Sequence, residues 1–328
     1  MSANINLIQA VNLALDDALA SDPNVMVFGE DVADPQEGGV MGVTKGLSTK
    51  HGNVRVRSTP IAEQAIIGAA IGASIAGIKP VAEIMLMNFT TVAMDMIVNH
   101  AAKLRFMSGG QTHVPIVIRT MTGAGFSTGG QHADFLESWF AHTAGLKVVI
   151  PSTPADAYGL MLSCIDDPDP CIFVENMPLY WTNGEAPERH VRIPLGKAKM
   201  VREGSDVTII TYARQVFDAL AVAEKFAKEG KSVEVIDLRT ISPLDEEAIL
   251  ASVGKTRRAV VVHEAVKNCG VGAEVSSRIH ESLYAKLLAP VQRVGAAFCP
   301  VPFSKPLETA FVPTQDAIEA AVRRTLAA

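Results

Sequence analysis

"VRVRSTPIAEQAIIGAAIGASIAGIKPVAEIML" runs from Val54 to Leu86, and its reading decides the fold. It opens with a short β-branched run, "VRVR" (54–57), and closes with a second, "PVAEIML" (80–86). Between them lies a segment with helical spacing, near residues 62–77, that holds one carboxylate, Glu63. Ala65 to Ile78 then carries no charge for fourteen residues. That is too short to span about 30 Å of hydrocarbon, which needs roughly 20 residues, and Lys79-Pro80 ends the run. A strand, a buried helix with close-packing glycines (Gly68, Gly72, Gly77) and a second strand make a βαβ unit, hence a parallel sheet.

The same alternation continues on both sides. "VMVF" (25–28), "PIVIR" (115–119), "KVVI" (147–150) and "CIFVE" (171–175) read as strands, and residues near 91–107, 134–143 and 155–166 as helices. Leu7, Ala10, Val11, Ala14, Leu15, Ala18 and Leu19 mark an amphipathic first helix; with no basic n-region and no cleavage site, the segment reads as that helix and not as a signal or transit peptide. From about Asn176 to Gly204 the pattern lapses into a stretch with three prolines in "MPLYWTNGEAPERHVRIPLG". Strands "DVTIITY", "SVEVIDL", "AVVVHE" and "PVQRV" then alternate with helices, one ending at a C-capping Gly230 and the last near 314–326. The expected class is α/β, with two three-layer α/β/α domains: 1–180 with a mostly parallel sheet, a linker at 181–204, and a smaller domain at 205–328.

Composition narrows the function. The chain has 328 residues, 48% hydrophobic and 20% charged, as a folded enzyme-like chain does. A net charge of −6 argues against a nucleic-acid binder, which needs a basic face. Four cysteines (Cys164, Cys171, Cys269, Cys299) show neither CxxC pairing nor metal spacing, which fits the reducing cytoplasm.

Ligand sites in open α/β sheets gather at the carboxyl ends of strands. Those ends hold Gly29-Glu30-Asp31, Pro60–Glu63, Asn88-Phe89 and "MTGAGFSTGGQH" (121–132). Glu63 alone reads first as a helix-start acid facing the dipole. Its functional reading is a partly buried carboxylate facing a ligand nitrogen. "GAGFSTGGQHADF" (123–135) has four glycines in eight residues but lacks the Lys-Ser/Thr of a P-loop. His132, which closes it, is either a hydrogen-bonded structural histidine or one that reaches into a cleft. His142, in "ESWFAHTAG", reads as a satisfied, half-buried histidine of an aromatic helix, and "NCGVGAEV" (268–275) as the entry to a helix. No HExxH occurs.

Taken in order, these segments carry a resemblance. "GED" (29–31), "TPIAE" (59–63), "NFTTVAMDMIVNHAAKLRFMSGG" (88–110), "VPIVIR" (114–119), "GGQH" (129–132), "GLKVVIPSTPADAYGL" (145–160), "VEVIDLRTISPLD" (233–245) and "VVVHE" (260–264) follow one another. Across residues 4–326 the chain closely resembles the β subunit of thiamine-diphosphate-dependent 2-oxo acid dehydrogenases, the family of the pyruvate, branched-chain 2-oxo acid and acetoin enzymes. The resemblance implies a transketolase-like pyrimidine-binding domain followed by a transketolase C-terminal-like domain. It also implies decarboxylation of a 2-oxo acid with transfer of the acyl group to lipoamide. Thiamine diphosphate would then be the cofactor. The dipeptide "GD" is absent, and with it the GDG…N motif that holds Mg²⁺ and the diphosphate. An α subunit would hold both, in an α2β2 heterotetramer, and a lipoyl acyltransferase core is the implied further partner. No nucleic acid or membrane is implied.

Carried onto matching positions, the resemblance makes Glu63 the acid that hydrogen-bonds the aminopyrimidine and Phe89 the aromatic residue packed on that ring. Val92 stands where some members have Gln. Glu30 falls near the cofactor or an acidic passage between sites. His132 matches the active-site histidine, but "HADF" replaces the usual His-Ser-Gln, and "TAGL" (143–146) the usual Pro-Gly-Leu. Some members bind K⁺ through backbone oxygens matching Ile116, Cys164, Ile165, Asp167 and Asp169; "CIDDPDP" offers these, or is an acidic surface turn. Two rivals stand beside the main reading: an acetoin-type or other two-subunit thiamine enzyme acting on C–C bonds, and a catalytically silent assembly subunit.

Overall fold

The computed structural model describes residues 4–328. The chain divides into two compact units: residues up to Thr122 with Trp139–Leu195, and Gly123–Ser138 with Gly196–Ala328. The glycine-rich segment that ends in His132, within the expected 1–180 domain, thus groups by packing with the second unit.

Chain order begins β1 (Asn4–Asn6), α1 (Leu7–Ser21), β2 (Val25–Glu30), α2 (Leu47–His51), β3 (Val56–Thr59), α3 (Glu63–Ile75) and β4 (Lys79–Leu86). Then come α4 (Leu104–Met107), β5 (Val117–Thr122), α5 (Glu137–Ala141), β6 (Lys147–Val149), α6 (Pro154–Asp166), β7 (Cys171–Asn176) and β8 (Asn183–Glu185). In the first unit β6, β7, β5, β4, β2 and β3 lie side by side, every pair parallel. Side-chain alternation along β2 separates the two faces. Val25 and Val27 join the main core with α1 and α6, while Met26 and Phe28 face a groove beside α3. Helix α1 starts at a capping box, Asn6 accepting from the Gln9 amide at 2.9 Å and Gln9 accepting from that of Asn6 at 2.9 Å. Thr153 caps α6, with Pro154 at its first turn.

The expected helix over 91–107 forms as three pieces: a 3₁₀ segment Met87–Ala93, a wide π turn Met96–Ala101, and α4. Hydroxyls account for the first piece. Thr90 bonds the Met87 carbonyl at 2.5 Å and Thr91 that of Asn88 at 2.8 Å, which favours tight local turns over a regular helix. Within the stretch expected to link the domains, β8 pairs antiparallel with β1.

The second unit holds β9 (Lys199–Arg202), β10 (Val207–Thr211), α7 (Gln215–Lys228), β11 (Val233–Asp237), β12 (Thr240–Ser242), α8 (Glu246–Thr256), β13 (Ala259–Val266), α9 (Val271–Leu283), β14 (Gln292–Ala296), α10 (Lys305–Phe311) and α11 (Gln315–Ala327). Its sheet runs β14-β13-β10-β11-β9, parallel except for β9. Helix α7 ends as expected: Gly230 takes a left-handed φ of +75°, and Lys231 N–H returns to the Phe226 carbonyl at 2.9 Å. Gly270 and Gly272 enter α9 as glycines because His263 fills their side-chain space; a Cβ there would lie 2.7 and 2.8 Å from its ring.

Candidate active site

The carboxyl ends of β2 and β3 lie in register, Gly29 against Ser58 and Glu30 against Thr59. The chain then turns at Pro60 into α3, whose first residue is Glu63. Ala62 supplies no side-chain cap, so the leading N–H groups of α3 favour the Glu63 carboxylate by charge alone. Glu63 is half-buried, and so is Glu30. Among the described residues, no hydrogen bond or ion pair engages either carboxylate. Burial first, and then the negative charges of Asp31 and Glu63, raise the Glu30 carboxyl above its ordinary value. The fold thus brings Glu30 close enough to Glu63 to feel its charge. Gly29 allows this end of the sheet to close, because a Cβ there would sit 2.6 Å from the Glu83 carbonyl oxygen.

Phe89 sits just past β4, half-buried against the main core. Val92 is 57% exposed. Beside α3 runs an apolar groove of about 350 Å³ lined by Met26, Phe28, Pro60, Ala65 and Ala69 among others.

Sequence reasoning passed over the cluster just behind this edge. Arg119 on β5 pairs with Glu83 on β4 and Glu175 on β7, and Tyr180 donates to Glu175 at 2.6 Å. All four are buried. Burial pulls the Arg119 guanidinium down; Glu175 and Glu83 overcome that and leave it above its ordinary value. Burial raises Glu83, which Arg119 offsets only in part. A signal was present: single charges inside otherwise apolar strands, in "VAEIM", "VIRT" and "FVEN".

His132 lies in the second unit and is half-buried, its N–H bonded to the Gly129 carbonyl at 3.2 Å. Five residues on, Glu137 is fully buried and accepts from the Tyr212 hydroxyl at 2.6 Å. Burial pushes its carboxyl up to about 7, against the Tyr212 hydrogen bond. His142 is exposed, not half-buried in a helix, because α5 stops at Ala141 and the chain turns toward Gly145.

At the Cys164–Asp169 turn the carboxylates are already matched. Lys147 lies 2.5 Å from Asp167 and 3.5 Å from Asp169, and Arg105 lies 2.5 Å from Asp169. The carbonyls of Ile116 and Cys164 accept from Cys171 and Asp167 N–H groups at 2.9 and 3.3 Å, leaving one lone pair each. Backbone oxygens, not side chains, are therefore the donors a hard monovalent cation would find here. Among the described residues no cluster of His, Cys, Asp or Glu suits a metal ion, and no helix is long and apolar enough to cross a membrane.

Comparison with known proteins follows this division. The transketolase pyrimidine-binding domain model matches residues 3–181 and the transketolase C-terminal domain model 196–318, which makes this a two-domain transketolase-type protein. A split-gene transketolase, solved as an inactive tetramer, superposes with a TM-score of 0.77 at 21% identity over 99% of both chains, a likeness of fold. The acetoin:2,6-dichlorophenolindophenol oxidoreductase β subunit of Cupriavidus necator is 45% identical, covering 99% of this chain and 98% of its own. The pyruvate dehydrogenase E1 β subunit of Bacillus subtilis is 44% identical over 99% of both chains. A mitochondrial pyruvate dehydrogenase E1 subunit beta-2 of Oryza sativa is 43% identical over 96% of this chain and 85% of its own. The chain belongs to this family of E1-type β subunits.

Proposed function

We propose that this chain is the β subunit of a thiamine-diphosphate-dependent 2-oxo acid dehydrogenase component, an oxidoreductase active only with an α subunit. One observation carries the reading: Glu63 is a half-buried carboxylate with no hydrogen-bond or ion-pair partner among the described residues, set beside Glu30. A carboxylate left in that state suits a ligand nitrogen. Bound thiamine diphosphate would supply the nucleophile and the electron sink for loss of CO2. Glu63 would hold a proton against the pyrimidine ring nitrogen, and Phe89 would pack on the ring. Glu30 lies next to Glu63, whose negative charge helps to raise the Glu30 carboxyl. His132 holds or delivers a proton where the acyl group leaves toward lipoamide on an acyltransferase core.

The α subunit brings the diphosphate half and Mg²⁺, since this chain lacks the motif for them. Its surface is the apolar groove beside α3, together with Ile61 and Ile75, 74% and 54% exposed. The backbone oxygens of Ile116, Cys164, Ile165, Asp167 and Asp169 take K⁺. Removing K⁺ by dialysis is expected to lower the thermal midpoint of the assembled enzyme, with recovery on K⁺ but not Li⁺ addition; an unchanged midpoint would exclude the site.

A second reading, an acetoin-type enzyme, draws on the likeness to the Cupriavidus subunit and on "HADF" beside His132. Co-expression with an α subunit, then assay of several 2-oxo acids and acetoin with an artificial electron acceptor, separates the two. The residue-level test is Glu63→Gln, expected to abolish thiamine-dependent turnover while the heteromer still assembles. Turnover at the wild-type rate would remove the role given to Glu63.

A further inference from the structure

The segment Gly123–His132 forms no helix or strand. Glycine-rich backbone loses much conformational freedom on ordering, so its order must come from outside. Within the second unit, two buried carboxylates supply it. Glu308 on α10, 1% exposed, accepts the Gly125 N–H at 2.6 Å and the Ser127 N–H at 3.0 and 3.2 Å on its two oxygens. Glu264 near the end of β13, 3% exposed, accepts the Ala124 N–H at 2.7 Å. Cations close the other side: Arg214 donates to the Ala124 carbonyl at 3.1 Å, and Lys305 to the Gly125 carbonyl at 2.5 Å and to Glu308 at 3.3 Å.

Ser127 has a φ of +56°, a left-handed conformation that a non-glycine residue adopts at a cost. In that conformation its N–H bonds to both oxygens of Glu308. The ends of the segment are pinned by apolar packing, since Ala124 and Ala133 are buried with Ala296, Val301, Phe311 and Val312. His132 is thus one residue from an anchored position. Burial works to raise the Glu308 carboxyl, but the Gly125 and Ser127 N–H groups and Lys305 outweigh it and keep it below its ordinary value.

We propose that Glu308 is a positioning residue for His132, fixing the imidazole by holding the loop backbone through charge-assisted hydrogen bonds. This rests on the catalytic reading of His132 given above. Glu308 has no part in the reaction except through that loop.

The assembled heteromer tests it with H132A, E308A, E308Q and the double variant H132A/E308A, each checked for assembly and thermal midpoint. E308A is expected to lower kcat about 10- to 100-fold with a much smaller change in KM, the size of effect that a small misplacement of a reacting group causes. E308Q keeps an oxygen acceptor, so it is expected to recover part of the loss. The double variant is expected to be no slower than H132A alone, since Glu308 acts through His132. Losses that multiply in the double variant, or an E308A rate equal to wild type, overturn the proposal. Amide exchange at Gly125 and Ser127 is an independent arm: faster exchange in E308Q supports the clasp, and unchanged protection refutes it. A wild-type rate in H132A would sink the role of His132 and the positioning role with it. The exchange arm would still decide whether Glu308 holds the loop.

Discussion

The two regions that hold the candidate site residues treat their carboxylates in opposite ways. At the carboxyl ends of β2 and β3, Glu30 and Glu63 are half-buried and have no hydrogen-bond or ion-pair partner among the described residues. Around the Gly123–His132 loop, Glu264 and Glu308 are buried and committed to backbone N–H groups. The difference fits the roles proposed for each region. A group that is to meet a ligand nitrogen has to be left with unmet hydrogen-bonding capacity. A group that holds a glycine-rich loop has to have none. A buried carboxylate is tolerated only when paired, so the second kind is legible as structure and the first as function.

The comparison breaks most sharply at Glu63. If its unmet capacity serves the cofactor, Glu63→Gln should cost at least about 100-fold in turnover, the scale of a general acid–base contribution, and leave stability nearly unchanged. A variant that instead loses stability but keeps its rate would make Glu63 a helix-start acid and nothing more.

The next effect is expected at Arg119, whose guanidinium pairs with both buried glutamates behind that edge. Arg119→Met strands Glu83 and Glu175 without their cation and should destabilise the first unit by about 3–5 kcal/mol in denaturant unfolding. A loss below about 1 kcal/mol would show that the cluster does not anchor the sheet edge.

The smallest effect sharpens the second region. Glu137 holds its proton up to about 7 in the folded chain against 4.5 as the ordinary value, so the folded state binds more protons between those limits. Stability should therefore fall as pH rises from 4.5 to about 7 and level off above it. From a shift of 7 − 4.5 = 2.5 the total is up to about 3 kcal/mol. Glu137→Gln keeps an acceptor for Tyr212 and removes that slope. A stability difference between variant and wild type that stays flat with pH would discard the assignment.

Much of the framework was readable from periodicity. The runs at 25–28, 80–86, 147–150 and 171–175 all became strands, and the helix expected near 62–77 became α3. The reading lost accuracy where local hydroxyl bonding competed with the helix, at Thr90 and Thr91. It also lost α10, whose "SKPLETAF" follows a proline-rich stretch and shows no long apolar period. Glu308 sits in that helix, so the residue that clasps the loop carried no local signal at all. Glu63, Glu30 and Phe89 could be singled out as candidates because each lies at or just past the carboxyl end of a strand, where ligand sites gather.

By itself, the sequence determined the α/β alternation, the parallel first sheet, the lone acid ahead of an uncharged helix and the family to which these belong. Those are local properties: side-chain period, turn chemistry and residue order. Only the tertiary structure decided which acids stand free and which are committed, because that depends on partners far apart in the chain. Glu308 reaches the amides of Gly125 and Ser127 across more than 180 residues. Arg119 finds its two glutamates on neighbouring strands. Whether a carboxylate is an anchor or a reagent is set by the groups brought against it, and the chain folds before that is settled.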